Sequence, residues 1–257
     1  MNLSVSKMLS TMLLVLLLNS VSLGEEADYF DWKGLKSYAA KNYSESIGYF
    51  DMSIALDSGY IDARIHKGDA QRAVKDYNGS IETYRAALQI DNRNKAAWSG
   101  MIEAYAALKS YSEAADAAYN LRLIEPSRKE NWLKEGNLRQ MKGDYQGALE
   151  SYEGALVIDP QYRDALFRKG ISLMALGRDG EAEGLFEGIL EADPGYKQAA
   201  NGKGLMMQKR GEYSAAGALF ENASKIDPAW SQPRYNLVHS LIEQHRMQEA
   251  MTIFVTI

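Results

Sequence analysis

An all-α array of helical hairpins is what this sequence predicts, and three observations predict it. Residues recur with a period of 34, without insertion or deletion, from Ala27 onward. Within each period the small and apolar residues are spaced by three or four, as on one face of a helix. Nowhere does the alternation of a half-buried strand compete with that pattern.

Laid out from Ala27, the repeats are 27–60, 61–94, 95–128, 129–162, 163–196 and 197–230, with a partial seventh over 231–257. Position 8 of the repeat is Gly34, Gly68, Ile102, Gly136, Gly170, Gly204 and Val238; position 20 is Ser46, Ser80, Ala114, Ala148, Ala182, Ala216 and Ala250. Small residues there let two antiparallel helices approach closely. Position 24 is Phe50, Tyr84, Ala118, Tyr152, Phe186, Phe220 and Phe254, a ring that fills the space between one hairpin and the next. Gly143, Gly177 and Gly211 stand at position 15, where a left-handed residue ends a first helix. Pro126, Pro160, Pro194 and Pro228 stand at position 32, where they stop a second helix, and three of them follow an aspartate, Asp159, Asp193 or Asp227. Each unit therefore reads helix, short turn, helix, turn. One such hairpin cannot bury its apolar stripe alone, so neighbours must stack.

These columns resemble the tetratricopeptide repeat family, over residues 27–257. The resemblance implies an α-α superhelix of six full repeats and a partial seventh, acting without catalysis as a scaffold that binds a peptide segment or helix of another protein in a concave groove. The third repeat departs most, with Ile102 in place of the small residue and Ala118 in place of the ring, and looser packing is expected there.

Residues 1–24 differ from the rest. Lys7 precedes an apolar run from Met8 to Leu18; Ser20, Ser22 and Gly24 follow, then Glu25 and Glu26. This is the pattern of a secretory signal. The residues leave three readings open: a signal cleaved after Ser22 or Gly24, an uncleaved membrane anchor over 8–24, and a leader without targeting function. The first two put a repeat domain over 25–257 outside the cytoplasm, secreted or membrane-associated.

Composition excludes several chemistries. There is no cysteine, hence no disulfide, thiol nucleophile or thiolate metal site. Net charge is −5 with no basic run, which disfavours nucleic acid and anionic membrane surfaces. His239 and His245 are six apart on different helix faces and His66 is remote, so no metal is expected. Gly202-Lys203-Gly204 lacks the remaining residues of a phosphate loop and falls mid-helix. No cofactor is implied. Asn42, Asn78 and Asn222 open glycosylation triplets of the kind polar turns also make by accident.

In the family, ligand contacts come from positions 2, 5, 9, 12 and 13 of the first helices. Carried over, the resemblance assigns the groove to Asp31, Leu35 and Tyr38 of the first repeat and to Ile65, Asp69 and Arg72 of the second. The third gives Glu103; the fourth Leu133, Asn137 and Gln140; the fifth Phe167, Ile171 and Met174; the sixth Asn201, Leu205 and Gln208. Asp28, Asp62, Glu130 and Asp164 at position 2 suit the positive end of a helix dipole and say little about a ligand. Asp31, Asp69 and Glu103 argue for a basic or neutral partner, and the apolar middle for a peptide or helix with apolar anchors. No three consecutive repeats carry the Lys and Asn set of the chaperone-tail clamp, although Asn137 and Arg168 are isolated members of it.

The last helix reads Met251, Ile253, Phe254, Val255 and Ile257, apolar where a solenoid needs a polar cap. Two readings follow, a longer chain or self-association through that end. A further alternative makes the repeats the recognition arm or accessory subunit of an enzyme whose catalytic domain lies beyond Ile257 or on a partner. Phe220→Ala is expected to cost about 3–5 kcal/mol, as for a buried aromatic. A loss under about 1 kcal/mol in urea unfolding would mean that this register is wrong.

Overall fold

A computed structural model describes residues 23–257. The predicted leader, apart from its last two residues, lies outside the described residues. Among these there are fourteen helices and no strand. Helix α1 occupies 23–39. Then come α2 (Tyr43–Leu56), α3 (Ile61–Ala73), α4 (Tyr77–Ile90), α5 (Lys95–Ala107), α6 (Tyr111–Ile124) and α7 (Lys129–Lys142). They continue as α8 (Tyr145–Ile158), α9 (Arg163–Ala175), α10 (Asp179–Ala192), α11 (Lys197–Lys209), α12 (Tyr213–Ile226), α13 (Ser231–Glu243) and α14 (Met247–Phe254). Every second helix from α2 to α14 starts at position 17, so the period read from the sequence is the period of the structure. No helix among the described residues is long and apolar enough to cross a membrane.

The hairpins close through the pairing of positions 8 and 24. A Cβ on Gly68 would stand 2.5 Å from the Tyr84 ring, and one on Gly170 or Gly204 would stand 2.6 Å from Phe186 or Phe220. Real side chains do not tolerate that distance, so only glycine admits the ring. The same ring meets the next first helix, at Gly100 for Tyr84 and at Gly202 for Phe186. Phe50, Tyr84, Tyr152, Phe186 and Phe220 are all 0% exposed. In the third repeat, where the sequence predicts looser packing, the sizes are exchanged: Ile102 is 3% and Ala118 1% exposed, so both positions stay closed to solvent.

The turns explain the rest of the period. Position 15 is left-handed in all seven repeats, at Gly143, Gly177 and Gly211 but also at Lys41, Lys75, Lys109 and His245. There the N–H of Lys75 reaches Arg72 O and that of Asp76 reaches Gln71 O, covering carbonyls that the helix end leaves open. Between repeats, the position-31 carboxylate accepts the N–H two residues on: Asp57 from Gly59, Asp91 from Arg93, Asp159 from Gln161, Asp193 from Gly195 and Asp227 from Ala229, at 2.8–3.0 Å. Aspartate holds this turn with or without the following proline.

The chain forms two compact units, one ending at Ile124 and one spanning Glu125–Ile257. Within the first, α3 touches α5; within the second, α7 touches α9, α9 touches α11 and α11 touches α13. Within the first unit α4 lies against α3 and α5; within the second, α8, α10 and α12 each lie against the first helix on either side. In each unit the first helices thus make a layer of their own. A left-handed lysine is strained by about 1 kcal/mol relative to glycine. Lys75→Gly is therefore expected to raise stability by about 0.5–1 kcal/mol, and Gly177→Ala to lower it by about 1 kcal/mol, both read by urea unfolding.

Candidate functional site

The first-helix layers of the two units carry the sixteen residues the sequence assigns to a groove, and the structure divides them. Position 9 answers the ring at position 24 of its own repeat. The Tyr84 hydroxyl donates to Asp69 Oδ1 at 2.6 Å, and the Tyr152 hydroxyl to Asn137 Oδ1 at 3.1 Å. Where the ring is Phe50, Phe186 or Phe220, position 9 is Leu35, Ile171 or Leu205. A buried phenol needs an acceptor and a buried phenyl does not, which accounts for the identity of both partners.

In the first unit the three acids that argued for an acidic groove are all engaged internally. Asp31, 5% exposed, lies 2.9 Å from His66 Nδ1. Asp69 lies 3.4 Å from Arg72 Nη2, and Glu103 pairs with Arg72 Nη1. Ile65 is buried, Leu35 is 39% exposed, and Tyr38 is half-buried with its ring edge-on to Tyr43. Tyr38, Asp69, Arg72 and Glu103 come together around one cleft of about 280 Å³, with Ala73 and Tyr77.

In the second unit much of the apolar middle is joint rather than groove. Phe167 lies 5.9 Å from the rings of both Phe186 and Tyr196. It packs with Ile171 and Met174 on the core of Leu149, Leu173, Phe186 and Met206. Leu205 packs on Phe220, Leu237, Val238 and Leu241. Asn201, 8% exposed, accepts from Asn236 Nδ2 at 2.9 Å. Gln140 donates to Ser172 Oγ, and Gln208 to Asn236 O and Ser240 Oγ, so these amides tie each first helix to the next. Leu133 is half-buried, and Met141, at position 13 of the same helix and hence at one of the family's contact positions, is 59% exposed. Asp31, Ile65, Phe167, Ile171, Asn201 and Leu205 are buried or packed within the array. Leu35, Tyr38, Arg72, Glu103, Leu133 and Met141 remain at the surface.

The position-2 acids have a partner that sequence reasoning missed, the aromatic residue at position 34. Tyr196 donates to Asp164 Oδ1 at 2.8 Å. Burial raises the Tyr60 phenol above its ordinary value, and its hydrogen bond to Asp28 raises it further. Position 1 adds a cation: Lys129 Nζ lies 4.5 Å above the Tyr162 ring and 2.6 Å from Asp159, while Arg163 pairs with Asp193 and Lys197 with Asp227. The column Tyr60, Tyr162, Tyr196, Trp230 was the signal available in the sequence. At position 4, the indoles of Trp98 and Trp132 likewise donate to Asn92 O and Pro126 O of the preceding turns.

Among the described residues no group of three or more His, Asp or Glu is placed to hold a metal. The exposed remainder of the first helices offers apolar contact, one phenol, one guanidinium and one carboxylate. On the outer side of α14, Met247, Met251, Phe254 and Val255 are 59–76% exposed.

Sequence profiles of the tetratricopeptide repeat match residues 140–205 and 61–94. No curated protein matches the chain significantly. Solved structures with the same fold include a tetratricopeptide repeat protein from Parabacteroides merdae, at TM-score 0.64 and 14% identity, covering 91% of this chain and 99% of that one. YrrB, a TPR protein with an unusual peptide-binding site, superposes at 0.57 with 20% identity, covering 72% of this chain and 96% of its own. MamA superposes at 0.58 with 18% identity, covering 74% and 96%.

In the Asp31–His66 pair the proton affinity of the imidazole is shifted. Burial pulls the imidazole down, but the hydrogen bond and charge of Asp31, with Asp62 and Asp69 behind, more than offset it and hold its pKa above the usual value. The pair's stabilisation is then complete below about pH 6.5 and is lost as pH rises through the folded value. Urea unfolding of the full chain is expected to show more stability lost above neutrality in the native protein than in His66→Asn. Equal pH dependence in the two would remove this role for the pair.

Proposed function

This chain is a tetratricopeptide-repeat protein, and we propose that it is a non-catalytic scaffold that binds segments of another protein on the exposed faces of its first helices. The observation that carries this reading is the division of that layer. Its joints are saturated with internal partners, while Leu35, Tyr38, Arg72 and Glu103 in one unit and Leu133 and Met141 in the other stay accessible. Side chains of the first helices that keep exposed surface once the joints between repeats are made are what a ligand would meet. That YrrB, of the same fold, has a peptide-binding site agrees with this assignment.

The scaffold acts outside the cytoplasm in this reading. Support comes from the sequence ahead of the repeats: Lys7, the apolar run Met8 to Leu18, and the small residues Ser20, Ser22 and Gly24.

A displayed library of random peptides, panned on the protein and on the Leu35→Glu/Met141→Glu variant, tests the binding function. Both side chains are exposed, so the variant should fold as the parent does. Peptides are expected to be enriched on the parent and to lose at least about tenfold in affinity for the variant, as for anchors of about 1.4 kcal/mol or more. No enrichment, or equal affinity for both proteins, would refute the first-helix faces as the site.

A further inference from the structure

Of the accessible residues, Tyr38, Arg72 and Glu103 of the first unit converge on one cleft, and their chemistry is specific. The cleft of about 280 Å³ is lined by Tyr38, Asp69, Arg72, Ala73, Tyr77 and Glu103. Two phenol rings form walls, and two carboxylates face one guanidinium, leaving a formal charge of −1.

The single cation in the cleft is not free to take an anion. Arg72 Nη1 is paired with Glu103 and Nη2 with Asp69, while Nε is enclosed. An incoming carboxylate would have to displace one of these acids and then sit beside both. The carboxylates are less committed. Asp69 uses Oδ1 for both Tyr84 and Arg72, and Glu103 uses Oε2 for Arg72. Among the described residues nothing donates to Asp69 Oδ2 or Glu103 Oε1, and the two side chains are 36% and 58% exposed. Carboxylate oxygens with lone pairs to spare, beside aromatic rings, fit a cation.

We propose that this cleft receives a lysine or arginine side chain of the partner. The inference rests on the reading of the first-helix faces as a binding surface, and it names the chemistry of one anchor. The ammonium or guanidinium lies between Asp69 Oδ2 and Glu103 Oε1, with its stem along Tyr38 and Tyr77. Arg72 holds the two acids in place and tempers their charge, so the cleft takes one cation rather than a basic run.

The test is fluorescence anisotropy on the full chain with two labelled peptides of equal length, one alternating serine and arginine, the other serine and glutamate. The arginine peptide is expected to bind and the glutamate peptide not to. Glu103→Gln should weaken the arginine peptide about fivefold, an exposed change that leaves the fold intact. Arg72→Met should strengthen it, because the lining then carries −2. If the glutamate peptide binds and Arg72→Met abolishes it, the sign of the site is wrong and the proposal fails. It fails as well if neither peptide binds, or if the arginine peptide binds equally to Glu103→Gln. The broader function falls only if the library also yields no peptide lost on Leu35→Glu/Met141→Glu, so the two failures are separable.

Discussion

The architecture depends on one steric constraint: a ring at position 24 occupies space that a side chain at position 8 would need. Glycine at 34, 68, 136, 170 and 204 removes the Cβ, the two helices of a hairpin close, and the ring is left with no exposed surface. Because the ring also meets the next first helix, one side chain both closes its own hairpin and seats its neighbour. Repeats built this way are interdependent in stability, as nearest neighbours in a linear array are. The third repeat shows that the requirement is volume rather than identity, since Ile102 and Ala118 meet it with the sizes reversed.

The ring column sets the polar residues as well. A phenol in the core must be answered, and Asp69 and Asn137 answer it from position 9. Asp69 in turn lies beside Arg72, which pairs with Glu103 of the following repeat. A chain of requirements thus runs from the packed centre of a hairpin to the surface of the first helices. The most charged part of that surface is an outgrowth of core packing.

Most acids on the first helices answer internal demands. Asp31 takes His66, Asp164 takes the Tyr196 hydroxyl, and Asp28 is hydrogen-bonded to Tyr60. Salt bridges between exposed residues, such as Lys67 with Asp51 or Lys203 with Glu187, recur from repeat to repeat but contribute little each. Counting acids along a predicted groove therefore overstates the charge a ligand meets. What counts is carboxylate surface left accessible, and among Asp31, Asp69 and Glu103 the first is buried while the last two are exposed.

The sequence by itself determined the fold. A 34-residue period of small residues, rings and turn formers admits one solution, because packing distance, left-handed helix ends and aspartate turns are local properties of residue type. It also named candidate ligand contacts, on the first helices. It did not separate joint from face. Phe167, Ile171 and Asn201 read like ligand contacts because apolar and amide side chains suit a ligand and a neighbouring helix equally. Only the tertiary structure, which sets Phe167 against Phe186 and Tyr196 and Asn201 against Asn236, decides between them. The cleft at Tyr38, Asp69, Arg72 and Glu103 was out of reach for the same reason. Its residues come from three repeats, and their convergence depends on how successive hairpins rotate, which no single period encodes.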